Sequence, residues 1–169
     1  NIFFSGIVTR DPDFSEYVLG KYISGIESKG NPELNKFYRA WLLFQDGKYA
    51  ESLKLITTFS TSGFILDDHV ITPSVKRLVL MLNFELGYFD EALYSLDSVS
   101  HFMRSSKKLS EIQKESMILF TKVFRQLLLL KINNRQFSYR SARASIGNEV
   151  SAGNNWLIGK LDELEKSDD

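Results

Sequence analysis

The residues best suited to acid–base or metal chemistry are two histidines and one short acidic run. His69 follows Asp67 and Asp68, and this run offers one nitrogen and two carboxylate ligands; His101 lies further along the chain. A metal site needs three or four ligands at close spacing, and neither histidine completes such a set. A solvated loop is therefore favoured for residues 67–69, and packing or capping for His101. We expect no metal site and no cofactor.

Motifs for covalent catalysis or phosphate binding are also missing from the sequence. It has no cysteine, no Gly-x-Ser-x-Gly elbow, no phosphate-binding glycine loop and no His-Glu-x-x-His helix. Gly20 and Gly25 are isolated in a helical pattern, where they favour close helix packing over phosphate binding. We therefore expect a protein that is not an enzyme. Because the absence of cysteine fits a reducing compartment, we expect it to be cytoplasmic.

Basic side chains concentrate in the C-terminal half of the chain. The whole chain is neutral, with 21 basic and 21 acidic residues, which argues against a dedicated nucleic-acid or membrane-surface protein. Residues 101–152 nevertheless contain 10 basic and 3 acidic side chains. Two interpretations stay open: a patch for nucleic acid or an acidic partner, or a solvated face that balances the acidic first 100 residues. The candidate patch residues are Arg104, Lys107, Lys108, Arg135, Arg140 and Arg143.

A repeated pattern identifies the elements that must position these side chains. Residues 37–53 and 77–93 each contain an apolar helix followed by glycine, any residue, an aromatic, two polar or small residues, a small residue and leucine. The glycine allows the left-handed backbone that ends a helix. The aromatic fills the space between paired helices, and the small residue lets them approach. These positions are occupied by Gly47, Tyr49 and Ser52, and by Gly87, Phe89 and Ala92.

The pattern resembles the tetratricopeptide (TPR) repeat. A degenerate earlier copy, without the glycine, places Phe14 35 residues before Tyr49, close to the TPR period of about 34 residues. The resemblance implies an all-α fold, a TPR-like alpha-alpha superhelix: a right-handed stack of antiparallel helix hairpins with a C-terminal long helix and capping helix. We expect a single array over residues 1–169. Its hairpins would span about residues 1–30, 31–66 and 72–105, with C-terminal helices over 110–169.

Helix starts and stops are marked by capping residues and prolines. Pro12, Pro32 and Pro73 each follow a cap-type residue, so each is expected to open a helix. Ser110-Glu111-Ile112-Gln113 is a capping box and predicts a long helix to about Ile132. A weaker helix over residues 135–148, a loop over 151–155 and a short helix from Trp156 are expected to follow. The run 109–130 and the ending Asn155-Trp156-Leu157 also resemble bacterial TPR-like proteins of the Bacteroidetes type.

The resemblance also implies a candidate partner-binding groove. TPR proteins line their concave groove with the first helix of each hairpin, and the corresponding positions here share one helix face. The alternative is that this stripe is core, covered by the chain's own C-terminal helices, because aromatic stripes at helical spacing are usually buried. The candidate groove residues are Phe37, Trp41, Phe44, Arg77, Met81 and Phe84.

The sequence therefore favours a non-enzymatic protein–protein interaction scaffold of TPR type. We expect it to bind a protein or peptide and to be a C-terminal segment of a larger protein, with residues 2–8 as the tail of a helix. Nucleic acid is not the expected partner, and no apolar run reaches the roughly 20 residues that span a bilayer. Two alternatives stay open: nucleic-acid or acidic-partner binding through residues 104–143, and a purely structural capping module. The sequence leaves the partner's identity and the oligomeric state open.

Overall fold

The computed structural model is all-α over the residues that it describes, and no strand occurs among them. None of the helices in this part of the chain is both long and apolar enough to cross a membrane. The described residues are 17, 20–21, 32–59, 68–107, 109–133, 138–146 and 151–168.

Seven helices have both ends within the described residues, and the chain divides into two compact units. The helices are α1 (Pro32–Gln45), α2 (Tyr49–Thr57), α3 (Asp68–Glu85), α4 (Phe89–Ser105), α5 (Glu111–Asn133), α6 (Tyr139–Ile146) and α7 (Ala152–Asp168). Unit 1 spans residues 1–86 and contains α1 to α3; unit 2 spans residues 87–169 and contains α4 to α7. The single array over residues 1–169 stays a prediction.

The expected first hairpin, residues 1–30, lies almost wholly outside the described residues. Tyr17, Gly20 and Lys21 are described there and are helical. The degenerate repeat residue Phe14 and the expected helix start at Pro12 both lie outside.

The turn between α1 and α2 has the geometry that its glycine predicts. Gly47 has a φ of 73°. The Lys48 N–H donates to the Leu43 carbonyl at 2.8 Å, and the Gly47 N–H donates to the Phe44 carbonyl at 3.1 Å. These two bonds form a Schellman motif, which satisfies the last carbonyls of α1. Gly87, which follows α3, also has a φ of 73°, so the left-handed backbone predicted at both glycines is confirmed.

Helices α1 and α2 pack closely against each other as an antiparallel pair. Phe59, just beyond α2, lies with its ring centroid 6.1 Å from that of Phe37 in the first half of α1. Ser52 of α2 is fully buried, and its hydroxyl donates to the Ala40 carbonyl of α1 at 2.6 Å. The small residue expected at this position does therefore lie against the neighbouring helix.

Helix α3 starts earlier than its proline predicts. It begins at Asp68, which makes the buried Pro73 its sixth residue, so the expectation that Pro73 opens the helix is wrong. Proline has no N–H, and the carbonyl four residues before it loses its helical donor. Leu78 and Leu80, further along α3, are fully buried, and burial of such side chains stabilises the helix despite that loss. Pro32, by contrast, is the first residue of α1, as predicted.

The long helix of unit 2 begins where its capping box predicts. The Gln113 N–H donates to the Ser110 hydroxyl at 3.2 Å, and the Ser110 N–H donates to the Gln113 side-chain oxygen at 2.9 Å. This reciprocal pair satisfies two N–H groups at the start of the helix. Helix α5 then runs for 23 residues to Asn133, a length of roughly 33 Å at 1.5 Å per residue.

The end of the chain is more helical than expected. The sequence predicts a loop over residues 151–155, but α7 begins at Ala152, so that prediction is wrong. The Asn154 N–H donates to the Ser151 hydroxyl at 3.2 Å, which caps the helix, and Asn154 itself is buried. Asn and Gly disfavour a helix by only about 1 kcal/mol each at most, which capping and burial outweigh. Helix α6 lies inside the range predicted for it.

Aromatic stacking joins α5 to α7 in the core of unit 2. The ring centroids of Phe120 and Phe124 on α5 lie 5.8 Å apart in a stacked arrangement. The ring centroids of Phe124 and of Trp156 on α7 lie 5.9 Å apart and are also stacked. Leu157 and Leu161 add fully buried side chains to the same core. Trp156, where the sequence predicts the start of the final helix, is buried as well.

Candidate interaction surfaces

The six side chains predicted for the partner-binding groove all lie in unit 1. Four of them, Phe37, Trp41, Met81 and Phe84, are buried and at most 6% exposed. Because a partner has to touch the side chains it recognises, this burial makes these four core residues and not groove residues.

The other two groove candidates, Phe44 and Arg77, are half-buried. The Phe44 ring lies 6.0 Å from that of Trp41 in an edge-on arrangement and 5.4 Å from that of Tyr49. Phe44 is thus part of the aromatic cluster that closes the α1–α2 turn. Only Phe44 and Arg77 keep a part of their surface open to a partner in this conformation.

The predicted basic patch divides into side chains with different environments. Arg104, Lys107 and Arg140 are exposed, whereas Lys108 and Arg135 lie outside the described residues.

Arg143, the sixth residue of the predicted patch, is engaged within unit 2. Its guanidinium lies 2.6 Å from a carboxylate oxygen of Asp162 and 2.6 Å from one of Glu165, both on α7. Hydrogen bonds to Glu165 and Asp162 raise the pKa of Arg143 above its usual value. Two carboxylates of its own chain therefore balance this cation.

The exposed cations do not converge on one spot. Arg104 lies in the last turn of α4 and Lys107 just before α5, while Arg140 lies on α6, beyond the other end of α5. Helix α5 alone is roughly 33 Å long. Arg125, on α5 itself, lies 3.5 Å from Asp97 of α4. The basic residues are therefore spread along unit 2 and are partly paired, which favours the solvated-face interpretation.

A surface that the sequence did not single out lies on α5. Four of its aliphatic side chains are exposed. Ile132, by 41%, lies at the C-terminal end of the helix, and the other three lie in its first half: Ile112 by 78%, Ile118 by 52% and Leu119 by 39%. Glu115 and Lys122, also exposed, lie between and beside them. At about 100° per residue these five side chains fall within an arc of about 120°. We call this set, Ile112, Glu115, Ile118, Leu119 and Lys122, the α5 outer face.

The α5 outer face lies opposite the buried side of the same helix. That side contains Met117, Phe120, Val123, Phe124, Leu127 and Leu128. Ile112 and Leu119 both lie within the long helix that the capping box at Ser110 predicts. The sequence does contain a signal for this exposed surface, because α5 has more apolar residues than one stripe can hold. A helix that packs on one side buries only one stripe of apolar residues.

Among the described residues, no cluster of three or more histidine, cysteine, aspartate or glutamate side chains is arranged to hold a metal ion. His101 is exposed on α4. The loop expected over residues 67–69 is wrong for Asp68 and His69, which are the first two residues of α3. Asp67 and the side chains of Asp68 and His69 lie outside the described residues.

Comparisons with known proteins give no family assignment. No protein-family model, no curated protein and no solved structure matches this chain.

Proposed function

We propose that this chain is a non-enzymatic protein–protein interaction module, and that the α5 outer face is its docking surface. The observation that carries the proposal is the exposure of Ile112, Ile118 and Leu119 on one side of a single helix. Aliphatic side chains exposed together on a regular helix are typical of binding surfaces.

The energetics of docking support this choice of surface. Complete burial of one isoleucine or leucine side chain contributes about 1.5–3 kcal/mol, so three such residues supply a substantial part of a binding free energy. Glu115 and Lys122 add charge within the apolar set, and charge fixes which partner fits and in which register. The buried groove candidates Phe37 and Trp41 offer no comparable surface.

The finer architecture is part of the same proposal. We propose that the helices form a TPR-like superhelix, in which stacked antiparallel hairpins present α5 as the long C-terminal helix and α7 as the capping helix. The support is local: Gly47 and Gly87 both have left-handed backbones, and Ser52 lies against Ala40 where the repeat requires a small residue.

A capture experiment tests the docking surface. The immobilised chain is offered a lysate of its source cells together with a free, tagged copy of itself, and is compared with an Ile112→Glu/Leu119→Glu variant. We expect the double variant to lose the captured proteins, because charge replaces the apolar contact. Both positions are exposed, so the fold is expected to persist, which circular dichroism checks.

The matched control is Ile158→Glu on α7, another exposed isoleucine of unit 2 that lies outside the α5 outer face. Capture by this control is expected to equal capture by the unmodified chain. If the double variant retains every captured protein, the α5 outer face is not the docking surface.

A further inference from the structure

The charges on the α5 outer face are arranged symmetrically about its centre. Glu115 lies three residues before Ile118, and Lys122 lies three residues after Leu119. The midpoint of the two charges is therefore the peptide that joins the two central aliphatic residues. At 1.5 Å per residue, each charge lies about 5 Å along the helix axis from that midpoint, in opposite directions.

The two charges of the α5 outer face, Glu115 and Lys122, differ from their neighbours in their surroundings. Among the described residues, Glu115 and Lys122 form no ion pair, and both are exposed. They lie seven residues apart on the helix, roughly 10 Å along the axis, which is too far for direct contact. Their neighbours on the same helix differ, since Lys114 and Glu111 pair at 2.8 Å. The outer face thus carries one open anion and one open cation.

This arrangement is self-complementary for antiparallel helices. A two-fold axis that passes beside the 118–119 peptide places a second α5 antiparallel to the first. Each Ile118 then lies opposite its own copy, and so does each Leu119. Glu115 of each chain lies opposite Lys122 of the other, so that two ion pairs flank an aliphatic centre. Such an isologous contact satisfies all four open charges.

Other arrangements leave the charges unsatisfied. Parallel packing in register would set Glu115 against its copy and Lys122 against its copy, which is repulsive. A partner surface of one sign, such as nucleic acid or a polyacidic peptide, would attract one of these residues and repel the other. The surface therefore favours a partner with the opposite charge order along an antiparallel helix, and a second copy of this chain has that order.

We propose that the α5 outer face binds a second copy of this chain and forms a two-fold symmetric, antiparallel α5–α5 contact. This inference rests on the proposed function, since it names the partner of the same surface. The aliphatic centre supplies the apolar contact, and the crossed Glu115–Lys122 pairs set the orientation.

Charge reversal provides the test. Sedimentation velocity on the full 169-residue chain measures the dimer dissociation constant for the unmodified chain, Glu115→Lys and Lys122→Glu. Each single reversal turns two attractive pairs into two repulsive ones, so we expect the dissociation constant to rise about tenfold or more. The double reversal, Glu115→Lys/Lys122→Glu, recreates both attractive pairs with the signs exchanged and is expected to restore dimerisation.

Mixing the two single variants gives the sharpest result. In a mixed pair, the two lysines of one chain face the two glutamates of the other, so both ion pairs are attractive. We therefore expect an equimolar mixture to form heterodimers more tightly than either variant self-associates, by about tenfold or more. A structural defect in either variant would not be repaired by mixing, so rescue in the mixture separates the contact from misfolding.

Two outcomes would overturn the self-association. One is a chain that stays monomeric at about 0.1 mM, where even a weak dimer of micromolar affinity would form. The other is a dimer whose dissociation constant changes neither in Glu115→Lys nor in Lys122→Glu. The proposed function fails separately, since it requires only that capture of some protein depends on Ile112 and Leu119. A monomeric chain that still loses a captured protein in Ile112→Glu/Leu119→Glu would refute the second copy as partner and retain the docking surface.

Discussion

The Ser52 hydroxyl donates a buried hydrogen bond of 2.6 Å to the Ala40 carbonyl and so joins α2 to α1. In a helix, each carbonyl already accepts from the N–H four residues on, and this one accepts a second donor from the neighbouring helix. The second copy of the repeat pattern has Ala92 at the equivalent position. The hydroxyl therefore adds a polar link to a position that the pattern requires only to be small.

We expect Ser52→Ala to lower the free energy of unfolding of unit 1 by about 1 kcal/mol, the usual contribution of one buried hydrogen bond. The cost stays modest because the Ala40 carbonyl keeps its helical donor. Urea denaturation in a Trp156→Phe background measures it, since Trp41 is then the single tryptophan and lies in unit 1. Thr57→Ala is the control: that hydroxyl is exposed and bonds only to its own helix. Equal effects of the two substitutions would refute the role of the Ser52 bond.

Gly47→Ala should destabilise unit 1 by about 1–2 kcal/mol, the cost of a left-handed backbone in a residue with a Cβ. A Cβ at this position would meet no atom within 4 Å, so the cost is conformational and not steric. Gly47→Asn should cost less, because asparagine tolerates this backbone. Gly20→Ala serves as control: Gly20 is helical and also has open space around it, so alanine there should be neutral or slightly stabilising. The same urea titrations measure these effects. A Gly47→Ala variant with an unchanged free energy of unfolding would contradict the prediction.

Local structure was predictable where one residue type satisfies a backbone requirement. The left-handed turn at Gly47 and the capping box at Ser110 follow from backbone angles and unpaired N–H groups, which act over a few residues. The predictions that were wrong concern residues 68–69, Pro73 and the segment 151–155. Helix formation there depends on burial against other helices, and local propensity carries no information about that burial.

The candidate surfaces were harder to predict for a related reason. The spacing of Phe37 and Trp41 is the same whether that face is an open groove or a packed core, because both require apolar residues at helical intervals. Ile112 and Leu119 show the converse, since apolar side chains are not always inside. Which stripe of α5 is exposed depends on which neighbouring helices pack against it. Only the excess of apolar residues on α5 is readable from the sequence.

The stability of unit 1 should depend on pH through Lys76. Burial lowers the pKa of the Lys76 ammonium below its usual value of 10.5. Between the lowered folded pKa and 10.5 the unfolded chain binds more protons than the folded chain, so the free energy of unfolding rises as the pH rises through this window. Below the window the buried charge is a constant destabilising contribution. We therefore expect Lys76→Met to stabilise unit 1 at neutral pH, and this gain to shrink as the pH approaches 10.5.

Urea titrations between neutral pH and 10.5 measure the Lys76 effect. Lys54→Met on α2, where the lysine is exposed, is the control and should change stability little at any pH. A Lys76→Met gain that stays constant across this range would show that burial of the charge is not its cause.

Arg143 should hold α6 against α7 in unit 2. Its Nη2 nitrogen donates to Asp162 and to Glu165 at 2.6 Å each. A lysine at this position would keep the charge but present it as a more strongly hydrated ammonium. Because these bonds raise the pKa of Arg143, alkaline conditions should leave the contact intact, whereas added salt should weaken it. We expect Arg143→Ala to speed amide hydrogen exchange over residues 139–146 and to remove the salt dependence of that exchange, with Arg143→Lys intermediate.

Arg140→Ala, on the same helix and exposed, is the matched control and should leave exchange unchanged. If both alanine variants exchange alike, helix propensity or general charge governs α6, and the two ion pairs do not hold it in place.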